Sequence, residues 1–203
     1  MDTYVINLKK RKDRLKKFKL GSDFAQIDLN ILEAFDGKEL DMKDYWLEKY
    51  DNLDKRRYLK KGEIGCYLSH YKCMELSQTD RVLIFEDDAK IPYDFWYKLD
   101  ILFKTLPTDF DIALLGTTRL WQRKYKQKCK MIWENKDWAR YEGDIYGLQG
   151  YIITKKAIDQ LKDCKYPLNA PIDVKVNHCG LKVYVVKRDL VETHRLGSNS
   201  QKI

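Results

Sequence analysis

Three consecutive carboxylates, Glu86, Asp87 and Asp88, follow directly after four apolar residues at positions 82–85. Adjacent carboxylates repel one another, so such a cluster needs a countercharge, and a divalent cation with a preference for oxygen ligands supplies it best. Because unpaired carboxylates are costly to bury, we expect these acids to reach a solvent-filled cleft. The sequence therefore predicts a cation site, and the simpler alternative is an acidic loop after a core strand.

The apolar residues before these acids predict the element that positions them. A short apolar run rich in β-branched and aromatic residues is typical of a buried strand in a parallel sheet. Open α/β sheets bind their ligands in a crevice at the carboxyl ends of such strands. Similar runs at residues 4–8, 30–34, 111–116, 148–154 and 181–186 alternate with helical patterns for much of the chain. This order predicts an α/β fold with a mainly parallel central sheet flanked by helices.

A basic segment follows the first predicted strand. Residues 9–17 include seven lysines and arginines, and a short helix is expected to leave Arg11 and Arg14 near its start. Basic side chains beside a helix N-terminus are suited to a diphosphate, and a solvated basic helix is the alternative. After the second strand, Gly37 permits a tight turn, and Asp36 could accept hydrogen bonds from a ribose or a base.

A helix predicted over residues 62–75 carries a stripe of small residues that includes Gly65 and Ser69. Glycines weaken a helix, so this stripe predicts the close approach of another backbone or of a ligand. Cys66, His70 and Cys73 lie at i, i+4 and i+7, a spacing that suggests zinc. Structural zinc sites usually have four ligands, so we favour a helix packed tightly under the acidic strand.

The second half of the chain is less regular in pattern. Residues 117–147 form a basic segment interleaved with aromatics, which predicts an irregular lobe over the cleft that stacks on sugars, or else a basic surface hairpin. Residues 131–141 have the pattern of short strands or a hairpin, and Thr154 is expected to cap the next helix. Residues 41–61 suggest helical pieces with a mobile connection. The tail, residues 188–203, has too few apolar residues to predict a core element.

The whole-chain composition indicates a globular domain with a charged surface. The chain has 203 residues, a net charge of +8 and five scattered cysteines without a C-x-x-C pair. Such cysteines argue against a disulfide framework and favour reduced thiols in the cytoplasm. No signal-peptide pattern or membrane-spanning run is apparent. We expect a soluble protein, whose basic face would suit an anionic partner such as nucleotide phosphates, nucleic acid or, through peripheral contact, a membrane surface.

Segments in order along almost the whole chain resemble glycosyltransferase family 25, the lipopolysaccharide and collagen-type galactosyltransferases. The most specific is the run from Gly62 through Ser69 and His70, followed closely by the three acids. The matching segments are residues 5–8 with Arg11 and Arg14, 34–37, 62–66 with Ser69 and His70, 83–89, 111–116, 150–153, 171–173 and 198–200.

This resemblance implies a GT-A-type fold in a single domain over residues 1–203. A nucleotide-sugar-binding half would span about residues 1–116, and an acceptor-binding half about residues 117–203. It implies transfer of a hexose, galactose or glucose, from a UDP-sugar to a hydroxyl of a glycan, glycolipid or protein acceptor, with inversion. Without a leader, retention signal or second domain in the sequence, we expect a cytoplasmic enzyme acting on a glycolipid or glycan precursor.

The resemblance also implies roles for individual residues. By analogy with a D-x-D motif, Glu86 would face the ribose and Asp88 would hold Mn²⁺ or Mg²⁺, with Glu86 and His194 as further metal ligands. Inversion requires a base, for which Asp173 is the candidate, with Asp144 or Glu142 in reserve. The expected nucleotide-sugar-binding residues are Asn7, Leu8, Arg11, Arg14, Asp36, Gly37, Gly65, Ser69, His70, Glu86 and Asp87.

Two other classes of function are compatible with parts of the sequence. A metal-dependent nuclease or phosphoesterase fits the acidic strand end and the basic charge, but the spaced acids of a two-metal centre are not evident. A nucleic-acid-binding module could use residues 9–17 and 119–130. Carboxylates at the centre of the site would repel phosphates, so no nucleic-acid partner is expected.

Overall fold

The computed structural model describes residues 1–52, 55–116, 129–143 and 147–194. Its helices are α1 (Lys12–Phe24), α2 (Lys61–Leu76), α3 (Phe95–Phe103), α4 (Lys155–Asp163) and α5 (Ile172–His178). Its strands are β1 (Asp2–Asn7), β2 (Asn30–Glu33), β3 (Tyr50–Asn52), β4 (Lys55–Arg57), β5 (Arg81–Glu86), β6 (Ala89–Lys90), β7 (Ile112–Leu114), β8 (Cys129–Trp133), β9 (Trp138–Gly143), β10 (Gly150–Thr154), β11 (Val183–Val186) and β12 (Glu192–Thr193).

An eight-stranded sheet organises the described residues, in the order β2-β1-β5-β10-β7-β11-β9-β8. Strands β9 and β10 run against the common direction of the other six, as their antiparallel pairings with β11, β8, β5 and β7 require. Because β1 pairs in parallel with both β2 and β5, the carboxyl ends of these three strands are adjacent. The predicted α/β fold with a mainly parallel sheet is confirmed.

Strand β5 is buried on both faces, which explains its continuous apolar sequence. Val82 and Ile84 join the core cluster that also contains buried residues of α2, α4 and α5. Leu83 and Phe85 point the other way, into the cluster formed with α1 and α3. Because helices cover both faces, the four middle residues of β5 are buried. At its carboxyl end, Glu86 is the first side chain that reaches solvent.

The antiparallel strand β10 lies directly beside β5 and begins where β5 ends. Gly150 pairs with Phe85, and the preceding residue, Gln149, accepts a hydrogen bond through its backbone oxygen from the Glu86 backbone N at 3.0 Å. Thr154 ends the strand, and its Oγ1 accepts a hydrogen bond from the Ala157 N at 3.2 Å, so the predicted cap of α4 is confirmed. The strand direction therefore reverses next to the acidic residues.

Three local predictions had different outcomes. The hairpin predicted within residues 131–141 is confirmed as β8 and β9, whereas residues 117–128 lie outside the described part. Residues 41–61 contain a short 3-10 turn at Met42–Asp44 and the β3–β4 hairpin, so the prediction of helical pieces was largely wrong. The prediction for the tail was also wrong, because Leu190 and Val191 are buried in the core and β12 pairs with β6.

The described helices also bear on membrane insertion. None of them combines the length and the apolar character needed to cross a bilayer.

Candidate functional site

The middle carboxylate of the acidic run, Asp87, turns inward at the end of β5. Its Oδ2 accepts a hydrogen bond from Asn7 Nδ2 at 2.7 Å, and its Oδ1 accepts one from Arg14 Nη1 at 2.9 Å. All three residues are buried, with Asp87 only 7% exposed. Burial raises the pKa of Asp87, although Arg14 and Asn7 oppose that rise. The expectation that every acid of the run reaches solvent was wrong for Asp87, because Arg14 supplies its countercharge.

The next carboxylate, Asp88, lacks a comparable partner. Its Oδ1 is buried and has no hydrogen-bond partner in the part of the chain that the structure describes. Its Oδ2 lies 3.6 Å from Arg14 Nη1, beyond hydrogen-bond distance. Burial, and then the charge of Glu86, raise the pKa of Asp88 to about 7. The geometry thus leaves a half-buried carboxylate that a bound cation would stabilise.

Glu86, the first of the three acids, ends a chain of polar contacts that starts in the core. Tyr151 Oη lies 2.9 Å from His70 Nδ1, and His70 Nε2 lies 3.3 Å from Glu86 Oε1. Tyr151 and His70 are buried, whereas the Glu86 side chain is one third exposed. If the tyrosine hydroxyl donates to Nδ1, the Nε2 carries the hydrogen and faces the carboxylate. This arrangement fixes the direction of the Glu86 side chain.

Asp173 occupies the first turn of α5, near enough to Glu86 and His70 for their charges to act on its pKa. Its Oδ2 accepts a hydrogen bond from the Gly147 N at 3.1 Å, and its Oδ1 accepts one from the Val174 N at 3.0 Å. Burial raises the pKa of Asp173 to about 6; the Gly147 hydrogen bond opposes this rise and the charge of Glu86 adds to it. This carboxylate is therefore more basic than an ordinary aspartate.

Gly65 and Ser69 of α2 lie against the backbone of the loop after β2. A Cβ on Gly65 would lie 2.5 Å from the Phe35 O, and a Cβ on Gly37 would lie 2.1 Å from the Lys61 O. Ser69 Oγ donates to the Gly65 O at 2.6 Å and accepts from the Phe35 N at 2.9 Å. Of the two approaches that the sequence left open, the structure supports a close backbone at these positions. Gly37, Gly65 and Ser69 hold the loop after β2 against α2.

Gly65→Ala is expected to destabilise the protein by about 1–3 kcal/mol, because the neighbouring backbone cannot move away from the added methyl group. The nearest atoms would be the Phe35 O at 2.5 Å and the Gly37 N at 2.9 Å. Urea unfolding followed by circular dichroism measures the change. Gly21→Ala is the comparison within another helix and should cost less, since its nearest atom, the Ile91 O at 3.2 Å, would have to move by only a few tenths of an ångström, and alanine favours helix by up to about 1 kcal/mol. Equal unfolding free energies for wild type and Gly65→Ala would contradict the contact.

Other expected donor-site residues lie in the loops after β1 and β2. Asp36 forms an ion pair with Lys10 and accepts a hydrogen bond from the Lys38 N at 3.1 Å. Arg11 forms an ion pair with Asp13 at 2.9 Å, and its backbone N donates to the Leu8 O at 2.7 Å. The Arg11 side chain lowers the pKa of Asp13 to about 2. These loops follow adjacent parallel strands and so border the same edge of the sheet.

The other two described candidates, His194 and Glu142, lie in different parts of the structure. The His194 N donates to the Asp88 O at 2.7 Å, so its segment lies against the acidic turn. Burial, with Lys17 and Lys90, lowers the pKa of the half-buried His194. Glu142 is exposed near the end of β9, 3.9 Å from Arg140 Nε. Because β9 runs opposite to β5, Glu142 lies towards the other edge of the sheet.

Two candidate segments lie outside the described residues, namely Asp144 and residues 198–200. Two neighbours of the site, Tyr151 and Gln149, were missed in the sequence because each lies in or beside an apolar strand. His70 contacts Glu86, and the charge of Glu86 raises the pKa of both Asp88 and Asp173. These four residues therefore influence one another electrostatically, next to the Asn7–Arg14–Asp87 network.

The family model described as "Glycosyltransferase family 25 (LPS biosynthesis protein)" matches residues 1–176 of the chain. The chain belongs to glycosyltransferase family 25. A family 25 member of Drosophila melanogaster is 32% identical over 182 residues, which cover 84% of this chain and 29% of that relative. Human procollagen galactosyltransferase 2 is 30% identical over 172 residues, covering 79% of this chain and 27% of the relative. This family 25 chain thus spans less than a third of the length of these two relatives.

A comparison of folds agrees with this assignment. The structure of S. aureus TarS 1-349, determined in complex with UDP-GlcNAc, superimposes with a TM-score of 0.50 at 10% sequence identity. The match covers 100% of the family 25 chain and 61% of that chain. The fold is of the GT-A type, as the resemblance in the sequence implied.

Proposed function

We propose that this family 25 chain is a metal-dependent glycosyltransferase that moves a hexose, galactose or glucose, from a UDP-sugar to an acceptor hydroxyl with inversion. The observation that carries the proposal is the buried Oδ1 of Asp88 just after β5, for which the described residues offer no hydrogen-bond partner. Family membership and the GT-A-type fold support the reaction class.

The residues at the end of β5 fit Mn²⁺ or Mg²⁺. Both ions prefer oxygen ligands, and Asp88 and Glu86 would hold the ion with carboxylate oxygens. His194 is proposed as a third ligand, because its segment already lies against the Asp88 backbone. When bound, such an ion acts as a Lewis acid that neutralises charge on the departing UDP. The raised pKa of Asp88 agrees with a site that lacks one positive charge.

The donor half is proposed to comprise about residues 1–116. The loops after β1 and β2 would border the nucleoside, with Asp36 and Glu86 as acceptors for hydroxyl groups of the ribose. The start of α1, with Arg11 nearby, would bind the diphosphate through backbone N–H groups and positive charge. Asn7, Arg14 and Asp87 act beneath this surface, because their polar contacts with one another keep the acidic turn in place.

The acceptor half is proposed to comprise about residues 117–203, with Asp173 as the base. Asp173 would take the proton from the acceptor hydroxyl as its oxygen attacks the anomeric carbon of the hexose. A carboxylate with a pKa of about 6 is ionised at neutral pH and is still a better base than an ordinary aspartate. The bonds from the Gly147 N and the Val174 N hold both carboxylate oxygens in a fixed direction.

The acceptor is proposed to be a hydroxyl of a glycan, glycolipid or protein. The family description refers to lipopolysaccharide biosynthesis, and several relatives are named procollagen galactosyltransferases. Either kind of acceptor would supply the hydroxyl group that the proposed reaction requires. The proposed chemistry at Asp173 is the same for each.

A thermal-shift panel tests the donor and metal requirement together. A ligand at about 100 times its dissociation constant stabilises a protein by about 2.7 kcal/mol, which raises the Tm of a domain this size by roughly 5–10 °C. We expect that rise with UDP-galactose or UDP-glucose plus Mn²⁺, and a much smaller one when EDTA replaces the metal. GDP-mannose with Mn²⁺ is the control for nucleotide identity. No shift with any UDP-sugar, or an equal shift with GDP-mannose, would contradict the proposal.

A further inference from the structure

A thiol, an imidazole nitrogen and a carboxylate oxygen converge beside the acidic turn. The ligand atoms of Cys66, His70 and Glu86 all lie within 4.8 Å of one another. Sulfur, nitrogen and oxygen ligands of these three types are those that zinc takes in proteins. We propose that Cys66, His70 and Glu86 form a binding site for a thiophilic divalent cation such as Zn²⁺, which shares Glu86 with the oxygen-ligand site at Asp88 but differs from it in its other ligands.

The positions of these residues suit a shared ion. Cys66 and His70 are four residues apart on α2 and therefore lie on one face of the helix. Glu86 reaches the same point from the end of β5, where His70 Nε2 is 3.3 Å from Oε1. The spacing in the sequence suggested Cys73 as the third ligand, but Cys73 is fully buried in the core. In the structure the third ligand is instead Glu86, which comes from a different element of the chain.

The contact behind His70 favours metal binding at its Nε2. Metal-binding histidines usually donate their other ring N–H to a polar partner, which fixes the tautomer and the ring direction. Tyr151 Oη lies 2.9 Å from His70 Nδ1 and can accept that hydrogen, because a tyrosine hydroxyl both donates and accepts. Binding would then release the Nε2 of His70 from Glu86 and place the ion between them.

The ligand types separate this site from the one at Asp88. A thiolate beside an imidazole selects Zn²⁺ over Mg²⁺ and Mn²⁺, whereas a site built mainly from carboxylate oxygens suits the latter two ions. The Cys66 residue is exposed, which places the site near the surface of α2, and its thiol lies among the negative charges of Glu86, Asp173 and Asp88, which favour a bound cation. As the sulfur binds zinc, the thiol proton passes to the buffer, and three protein ligands leave a fourth position for water.

Zinc binding is tested by equilibrium dialysis of the full chain against ZnCl₂, with bound metal measured by mass spectrometry. Wild type should bind one tightly held zinc ion that Cys66→Ser lacks. We expect the affinity for that ion to be at least about 100-fold lower in the variant. Cys73→Ser is the matched control on the same helix and should bind as wild type does. The remaining cysteines are present in all three proteins and cancel in the comparison. Equal zinc binding by wild type and Cys66→Ser would overturn the proposal.

Two further measurements identify the ligands. With Co²⁺ as the probe, wild type should show a thiolate-to-metal charge-transfer absorption, and Cys66→Ser should lose it while its circular dichroism stays the same. Asp88→Asn should keep the Co²⁺ absorption and the tight zinc ion. If Asp88→Asn loses the ion and Cys66→Ser retains it, the ion binds at the acidic turn and the proposal is wrong.

The shared ligand, Glu86, gives this site a consequence for transfer that rests on the proposed function. An ion held by Cys66 and His70 would withdraw Glu86 from the donor, so micromolar zinc should inhibit transfer at saturating Mn²⁺. Inhibition is measured against the zinc-free rate of each protein and should be relieved at least about tenfold in Cys66→Ser. Equal inhibition of both proteins would overturn this consequence. Dialysis measures zinc binding without any activity. A failure of the proposed glycosyltransferase function can therefore be told apart from a failure of the zinc site.

Discussion

Asp88→Asn is expected to lower Mn²⁺-dependent hexose transfer by at least about 100-fold, since a bound metal contributes several kcal/mol to stabilising the transition state. The buried Oδ1 of Asp88 has no partner in the described residues, so it is the oxygen that a cation would occupy. UDP release with Mn²⁺ at increasing concentration measures the effect. The thermal shift that UDP-sugar gives with Mn²⁺ should shrink in parallel. Full activity in this variant would contradict the metal assignment.

The same substitution is expected to leave the metal-free protein as stable as wild type or more stable. The pKa of Asp88 rises to about 7 on folding, from an ordinary value of 3.8, so the folded state disfavours its charged form. Stability from this group is therefore present at low pH and is lost as the pH rises from about 4 through 7. In EDTA, Asp88→Asn should exceed wild type in Tm at pH 8, and the difference should shrink at pH 5.

Asp87→Asn is the matched control one residue away. Asp87 accepts one side-chain hydrogen bond on each oxygen, from Asn7 and from Arg14. An amide offers one oxygen, and its NH₂ group would face a donor, so we expect a loss of about 1–3 kcal/mol of stability. The neighbouring acids should thus separate into one that acts in the site and one that supports the fold. A higher Tm for Asp87→Asn than for Asp88→Asn at pH 8 in EDTA would contradict this division.

The fold could be predicted from local patterns wherever a segment's own residues decide its structure. Strand β5 is an example, because the side chains of residues 82–85 alternate between two different cores, so each of these four positions must be apolar. The cap at Thr154 and the hairpin of β8 and β9 are likewise local. The tail was misjudged because its two core residues, Leu190 and Val191, pack into a cluster of distant residues and donate their backbone N–H groups to the Leu115 O, contacts that the tail's own composition does not reveal.

The sequence predicted the candidate site in outline, but it did not predict which of its side chains contact one another. The acids after β5 indicated a charged cluster, but the burial of Asp87 depends on Arg14, which lies 73 residues away in sequence. Tyr151 read as a core residue, and its contact with His70 arises because β10 inserts antiparallel beside β5. Pairings of this kind follow from the order of strands, which no local pattern specifies.

Asp173→Asn is expected to lower transfer by about 10²–10⁴-fold while UDP-sugar affinity changes by less than about threefold. The factor is that of a general base, and the donor is proposed to contact the other half of the chain. Single-turnover transfer and isothermal titration with UDP-sugar and Mn²⁺ separate the two quantities. Asp159→Asn, an exposed change on α4, is the control and should alter neither. A loss of donor binding with normal turnover would remove Asp173 as the base.

The pH dependence distinguishes a base from a residue that only supports the helix. The pKa of Asp173 is raised to about 6, and a base acts when it is deprotonated, so wild-type transfer should rise with pH and reach half its maximum near pH 6. Saturating Mn²⁺ keeps Asp88 ionised and removes its titration from the profile. Asp173→Glu retains a carboxylate and should keep a weaker, pH-dependent activity, whereas the residual rate of Asp173→Asn should be flat across this range. The same pH profile in wild type and Asp173→Asn would assign the proton transfer to another group.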